Sequence, residues 1–153
     1  MMYIHHIGDT TMDTVNYIDQ EPCVCIYLRR IAKKVTDFYD KALESAGVSV
    51  NQYSLLVNII RIEGCSIGEL AQRVRLEKST LVRTLQPLLR DGFITDKSSG
   101  ENRRRRLYLT PSGKKVLKKA LPLWSKAQDE IIGKLGKNHG ELIAVFNAID
   151  SVD

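Results

Sequence analysis

Four consecutive arginines, Arg103 to Arg106, stand between a turn-forming Ser98-Ser99-Gly100 tip and the alternating run Leu107-Tyr108-Leu109. Alternation of period two after a Ser-Gly cluster predicts a β-hairpin with Phe93-Ile94-Thr95 as its first strand. The finger gains little from its own charges. Neighbours on one strand face, such as Arg103 and Arg105, repel by roughly 0.6 kcal/mol at ~7 Å in water. Asp96 and Glu101 are the acids that lie close in sequence to offset them. A basic finger of this kind suits a polyanion, and its place directly after two short helices points to DNA. Side chains alternate along a strand, so Arg103 and Arg105 are expected on the side that meets DNA. Arg104 and Arg106 are then expected to find phosphates or salt-bridge partners.

Other reactive residues are few. Cys23 and Cys25 fall at the start of a predicted helix, where the N-terminal dipole favours thiolate, and this makes them candidate redox thiols. Both also suit the role of small hydrophobes, and positions i and i+2 on a helix point apart, which argues against a disulfide between them. A metal site from Cys23, Cys25, His5 and His6 is not expected, because the two-to-four-residue spacing of paired zinc cysteines is absent; no cofactor is expected either. His139, beside Gly140, is expected on a solvated loop, and no function is assigned to Cys65. A P-loop, a Gly-x-Ser-x-Gly elbow and a His-Glu-x-x-His pair are all missing, so the chain is not expected to be an enzyme.

The elements that position these residues follow from periodicity and caps. After Pro22, the residues Val24, Leu28, Ile31, Val35, Phe38 and Ala42 form one helical stripe ending near Gly47. Ser49 and Gln52 form a capping box that opens a helix with Tyr53, Leu56, Val57 and Ile60 inward, closed by Gly64. A second box, Ser66 with Glu69, opens a short helix with Ile67, Leu70, Ala71 and Val74 inward. Arg75-Leu76-Glu77 turns into a third helix over Lys78–Arg90, with Leu81, Leu85, Leu88 and Leu89 on its apolar face and Asp91-Gly92 as its stop. Thr110 as N-cap and Pro111 at N1 begin a helix to Leu135, ~37 Å long by its rise per residue. Its stripe is Val116, Ala120, Leu123, Ala127 and Ile131, with Trp124 alongside and a kink expected at Pro122. Leu142, Val145, Phe146 and Ile149 supply a last amphipathic helix.

Composition bounds the rest. Among 153 residues, 43% are hydrophobic and the net charge is +5. Residues 61–119 hold 15 Lys/Arg against 6 Asp/Glu, while the remainder holds 8 against 12. A basic middle between acidic ends suggests a middle that meets nucleic acid; charges that merely solubilise a surface would not segregate. No apolar run is long enough to span a membrane, and the first twenty residues lack the pattern of a secretory signal. Three cysteines argue against a disulfide framework and for a reducing cytoplasm.

The expected fold is mainly α (α+β): a winged helix-turn-helix lobe over 48–110, dimerisation helices over 21–47 and 111–153, and an N-terminal arm over 1–20. A helix as long as the one from Pro111 overhangs a small core, so its stripe needs a partner, most simply a second copy. The major groove of DNA admits one helix, while a hairpin follows the backbone or enters the neighbouring minor groove. Arg83 lies away from the leucine face and is the best candidate to read a base, with a phosphate contact or surface ion pair as the alternatives. Ser79 and Thr80 reach bases or phosphates, or cap the helix; Lys78 is expected on phosphate.

The order of parts resembles the MarR family of winged helix-turn-helix transcriptional regulators over roughly residues 23–149. Ser66-Ile67-Gly68-Glu69-Leu70-Ala71 resembles the first helix of that family's DNA lobe, and Glu77-Lys78-Ser79-Thr80-Leu81-Val82-Arg83 resembles the start of its recognition helix. The family's wing motif, Asp-x-Arg, five residues, then Leu-Thr, is matched by Glu101-Asn102-Arg103 and Leu109-Thr110, with Glu101 where Asp is usual. The resemblance implies a homodimer on a pseudo-palindromic operator, more often a repressor, commonly released by a small ligand or by oxidation. It implies Arg103 in the minor groove, and Lys78, Ser79, Thr80, Arg83 and Thr84 at the major groove. It further implies an effector cleft, for which Tyr27, Arg30, Tyr53 and Trp124 are candidates that also have ordinary structural explanations. A winged helix used as a protein-interaction module, or as a nonspecific architectural DNA binder, makes the same structural demands. The arginine finger favours DNA over the first, and operator preference separates the second.

Overall fold

The computed structural model describes residues 23–97 and 106–152. Its elements run α1 (Val24–Leu43), a 3₁₀ turn (Glu44–Ala46), α2 (Val50–Arg61), α3 (Ile67–Val74) and α4 (Lys78–Arg90). They continue with β1 (Ile94–Asp96), β2 (Leu107–Leu109), α5 (Pro111–Leu135), a 3₁₀ turn (Gly136–Asn138) and α6 (His139–Asp150). This is a mainly helical winged helix-turn-helix. The chain divides into two units inside α1, after Thr36. In the first unit, Val24, Ile26, Tyr27 and Ile31 are exposed, and the Thr36 hydroxyl donates to the Ala32 carbonyl at 2.8 Å, one turn back.

The second unit holds the core. Leu43, Leu56, Ile59, Leu70, Leu81, Leu85, Leu88, Leu107 and Cys65 are its largest fully buried side chains. Both capping boxes form: the Ser49 hydroxyl accepts from the Gln52 amide at 3.2 Å while Gln52 Oε1 accepts from the Ser49 amide at 2.9 Å. Ser66 and Glu69 repeat the arrangement at 3.1 and 2.7 Å. Such caps satisfy amides that the first helical turn leaves without partners.

Two apolar faces differ from the periodicity. In α2, Tyr53, Leu55, Leu56 and Ile59 are buried, Val57 is half-buried, and Ile60 is 44% exposed rather than inward. This helix is central, touching α3, α4, α5 and β2, so its buried arc is wider than one stripe. In α1, Phe38 and Ala42 are half-buried, and it is Tyr39 and Leu43 that are buried. Tyr39 is drawn round by its hydroxyl, which donates to Gln128 Oε1 of α5 at 2.5 Å.

The C-terminal elements begin as expected. Thr110 Oγ1 accepts from the Gly113 amide at 3.0 Å, with Pro111 at N1, and α5 runs through Pro122 as one helix. Ala120 and Ala127 of α5 are buried. His139 is the first residue of α6 and half-buried, not part of a solvated loop. No residue of α6 is buried, and Ile143, Val145, Phe146 and Ile149 are exposed. Among the described residues no helix is long and apolar enough to cross a membrane.

Candidate nucleic-acid interface

The helix pair α3–α4 is joined by a turn that uses Arg75 at φ +52°, the left-handed region. Holding a non-glycine residue there costs about 1–2 kcal/mol. Hydrogen bonds from the Arg75 amide to the Gln72 carbonyl (3.4 Å) and from the Leu76 amide to the Ala71 carbonyl (3.0 Å) close the turn. The Arg75 guanidinium donates to both carboxylate oxygens of Asp150 at 2.7 Å, with both side chains exposed.

Helix α4 has two opposed faces. Leu81, Leu85 and Leu88 are buried, while Ser79, Arg83, Gln86 and Arg90 are exposed. The outer set recurs at spacings of four, three and four, the period of a single helix face. Lys78 and Ser79 share an open cleft with Gln72 and Arg75 between α3 and α4. Thr80 and Thr84 lie elsewhere: both are half-buried and line a groove with Asn51, Ser54 and Leu55 of α2. The Thr84 hydroxyl donates to the Thr80 carbonyl at 2.9 Å. Neither Ser79 nor Thr80 caps α4; its N-cap is Glu77, which makes no side-chain capping bond. Gln86 was not singled out by sequence reasoning. Its signal was its position three residues after Arg83 and seven after Ser79, and a glutamine amide can pair with both adenine N6 and N7.

Past α4 the chain turns at Gly92, φ +70°. The Gly92 amide donates to the Leu89 carbonyl at 3.1 Å and the Phe93 amide to the Leu88 carbonyl at 2.9 Å, a Schellman closure. Because the Phe93 amide is committed to the helix end, the first strand is Ile94–Asp96 and not Phe93–Thr95. It pairs antiparallel with Leu107–Leu109, Ile94 opposite Leu109 and Asp96 opposite Leu107. Lys97 donates from its amide to the Arg106 carbonyl at 2.8 Å, and its ammonium lies 5.5 Å from the centre of the Tyr108 ring.

Cys65 completes this small sheet. It forms a single antiparallel bridge with Leu107, whose amide donates to the Cys65 carbonyl at 2.9 Å. Burial pushes its thiol pKa up, opposite to what a reactive thiol needs. Arg106 is half-buried, with Nη1 3.0 Å from the Gly64 carbonyl and 3.3 Å from Glu69 Oε2. The expectation of a salt-bridge partner therefore holds for Arg106. Arg103, Arg104 and Arg105 lie outside the described residues, as do Glu101, His5 and His6. Cys23 and Cys25 are exposed. Of the effector candidates, Tyr53 stacks on Trp124 at 5.6 Å between ring centres and is buried, an ordinary core contact.

Comparisons with known proteins agree on one type of molecule. The family model described as MarR family matches residues 46–105. The chain is 29% identical over 116 residues to the HTH-type transcriptional regulator BilQ of Clostridium symbiosum, covering 75% of this chain and 81% of that one. The transcriptional regulator MosR of M. tuberculosis, solved in complex with DNA, is 31% identical with a TM-score of 0.73, covering 85% of this chain and 98% of that one. BpsR of Bordetella bronchiseptica, whose DNA binding is regulated by 6-hydroxynicotinic acid, shares the fold at a TM-score of 0.75 and 14% identity, over 89% of this chain and 97% of that one.

Proposed function

The chain belongs to the MarR family of winged helix-turn-helix transcriptional regulators, and we propose that it acts as a homodimeric, sequence-specific repressor on a pseudo-palindromic operator. The observation that carries this reading is the two-sided α4. Leu81, Leu85 and Leu88 are buried in the core with Leu89 half-buried beside them, and Ser79, Arg83, Gln86 and Arg90 are exposed opposite. A helix so mounted enters the major groove with its early residues on the bases. Arg83 reads guanine through its planar fork, Ser79 and Gln86 flank it, and Lys78 meets phosphate. Thr80 and Thr84, half-buried in the groove against α2, take no base contact in this reading. Arg103 and Arg105 extend the contact from the wing to the neighbouring groove.

Dimerisation is assigned to the two chain ends. The exposed apolar residues of α6 and of the first turns of α1 support it, since monomers rarely leave such faces uncovered. Release by a small ligand and a place in the cytoplasm complete the reading; no enzymatic step is part of it.

The test is duplex binding followed by fluorescence anisotropy, with sedimentation to report the oligomer. Arg103→Ala combined with Arg105→Ala should weaken binding while the dimer persists. Unaltered DNA affinity in that double variant would favour a protein-interaction module instead.

A further inference from the structure

The two capping boxes of this chain differ in one respect. At the start of α2 the box closes with Gln52, and at the start of α3 it closes with Glu69. Both residues accept the N-cap amide, Gln52 from Ser49 at 2.9 Å and Glu69 from Ser66 at 2.7 Å. A neutral amide thus suffices for the cap, and a carboxylate on a DNA-facing lobe repels phosphate. The acid at position 69 calls for a second task. That task is visible on the same oxygen: Glu69 Oε2 also lies 3.3 Å from Arg106 Nη1.

We propose that Glu69 is a positioning residue for the wing, holding Arg106, and with it the base of the hairpin, against the first turn of α3. Three contacts zip the same seam. Arg106 Nη1 donates to the Gly64 carbonyl at 3.0 Å, the Leu107 amide donates to the Cys65 carbonyl at 2.9 Å, and Glu69 takes the guanidinium. The Arg106 carbonyl accepts from the Lys97 amide at 2.8 Å, the last described rung before residues 98–105. Fixing Arg106 on α3 therefore fixes the point from which Arg103 and Arg105 depart, relative to Arg83 on α4. Arg106 is thereby withdrawn from the set of phosphate contacts, although its type and neighbours suggest one. The contact matters for affinity only if the DNA-binding reading above holds.

The experiment compares wild type, Glu69→Gln, Arg106→Gln and the double variant for affinity to a duplex at several salt concentrations, with thermal unfolding as the control for folding. Glu69→Gln should bind about three- to fivefold more weakly, the size of one exposed ion pair, although it has lost a negative charge. Arg106→Gln should lose a similar factor with its salt slope unchanged, and the double variant should be no worse than either single. Tighter or equal binding by Glu69→Gln would overturn the proposal. So would a salt slope made shallower by about one per copy in Arg106→Gln, the mark of a lost phosphate contact. Arg106→Lys, which keeps the charge but not the fork, replaces Arg106→Gln if that variant unfolds; binding as tight as wild type would contradict the proposal.

A readout without DNA separates this from the functional reading. Trypsin should cut after Arg106 faster in Glu69→Gln than in wild type, whether or not any duplex binds. Equal cutting rates would overturn the positioning role even if the chain binds DNA.

Discussion

Gly113, in the first turn of α5, passes so close to Phe93 that a Cβ there would lie 1.9 Å from the Phe93 carbonyl oxygen. Thr110 seals the same junction: its hydroxyl bonds the Gly92 and Phe93 carbonyls and accepts from the Gly113 amide. The end of α4, the start of β1 and the start of α5 thus meet at one point, and this sets how the recognition helix is carried by the long helix.

Gly113→Ala should destabilise the fold by about 1–3 kcal/mol, because backbone must move to admit the methyl. Gly140→Ala, with nothing within 4 Å of its added Cβ, should leave stability within about 0.5 kcal/mol of wild type. Urea unfolding of the two variants checks this through the midpoint at constant slope.

Arg83→Ala should cost about 1–3 kcal/mol against the preferred operator and relax the choice at one base pair. Thr84→Val should cost far less, since its hydroxyl proton is already spent on the Thr80 carbonyl. Anisotropy titrations against the operator and its single-base variants distinguish the two. Equal losses in the two variants would put Thr84 at the bases.

Much of this arrangement was legible in local chemistry. Ser49, Ser66 and Thr110 announce their helices because each cap is a contact within four residues. The bounds of α4 follow from the leucine spacing and from Asp91-Gly92. What could not be read there depends on neighbours distant in the chain. Ile59 replaces Ile60 inside because α2 is surrounded on several sides. The pairing of Cys65 with Leu107 joins a single residue to a strand, and one residue has no periodicity. Among four identical arginines, nothing in the sequence marks Arg106 as bonded to Glu69 and Gly64.

Burial raises the pKa of the Cys65 thiol and of the Tyr39 and Tyr53 hydroxyls. For an acid with a raised folded-state pKa, the unfolded chain loses its proton first. The Cys65 contribution is therefore fully present below the unfolded thiol value of ~8.5 and is lost as pH rises through the folded value. Stability should fall as pH rises above about 8, and Cys65→Ala should flatten that part of the profile. In wild type, a thiol reagent should modify Cys65 only in denaturant, and Cys23 and Cys25 without it. Rapid labelling of all three thiols in the native protein would contradict the burial of Cys65.

Electrostatics dominates the affinity in this account. With ~8 phosphates neutralised per dimer, log K should fall against log salt with a slope near −7. A flat dependence would mean that neither the wing nor Lys78 meets the backbone.

The most direct measurement is selection of bound sequences from a random duplex pool, repeated at two salt concentrations. A dimeric regulator with α4 as its reading head should enrich an inverted repeat whose half-sites lie about one helical turn apart, and the same repeat should survive at the higher salt. Salt-sensitive binding without enrichment would contradict the account and leave an architectural protein, and no binding at either salt would remove DNA as the partner.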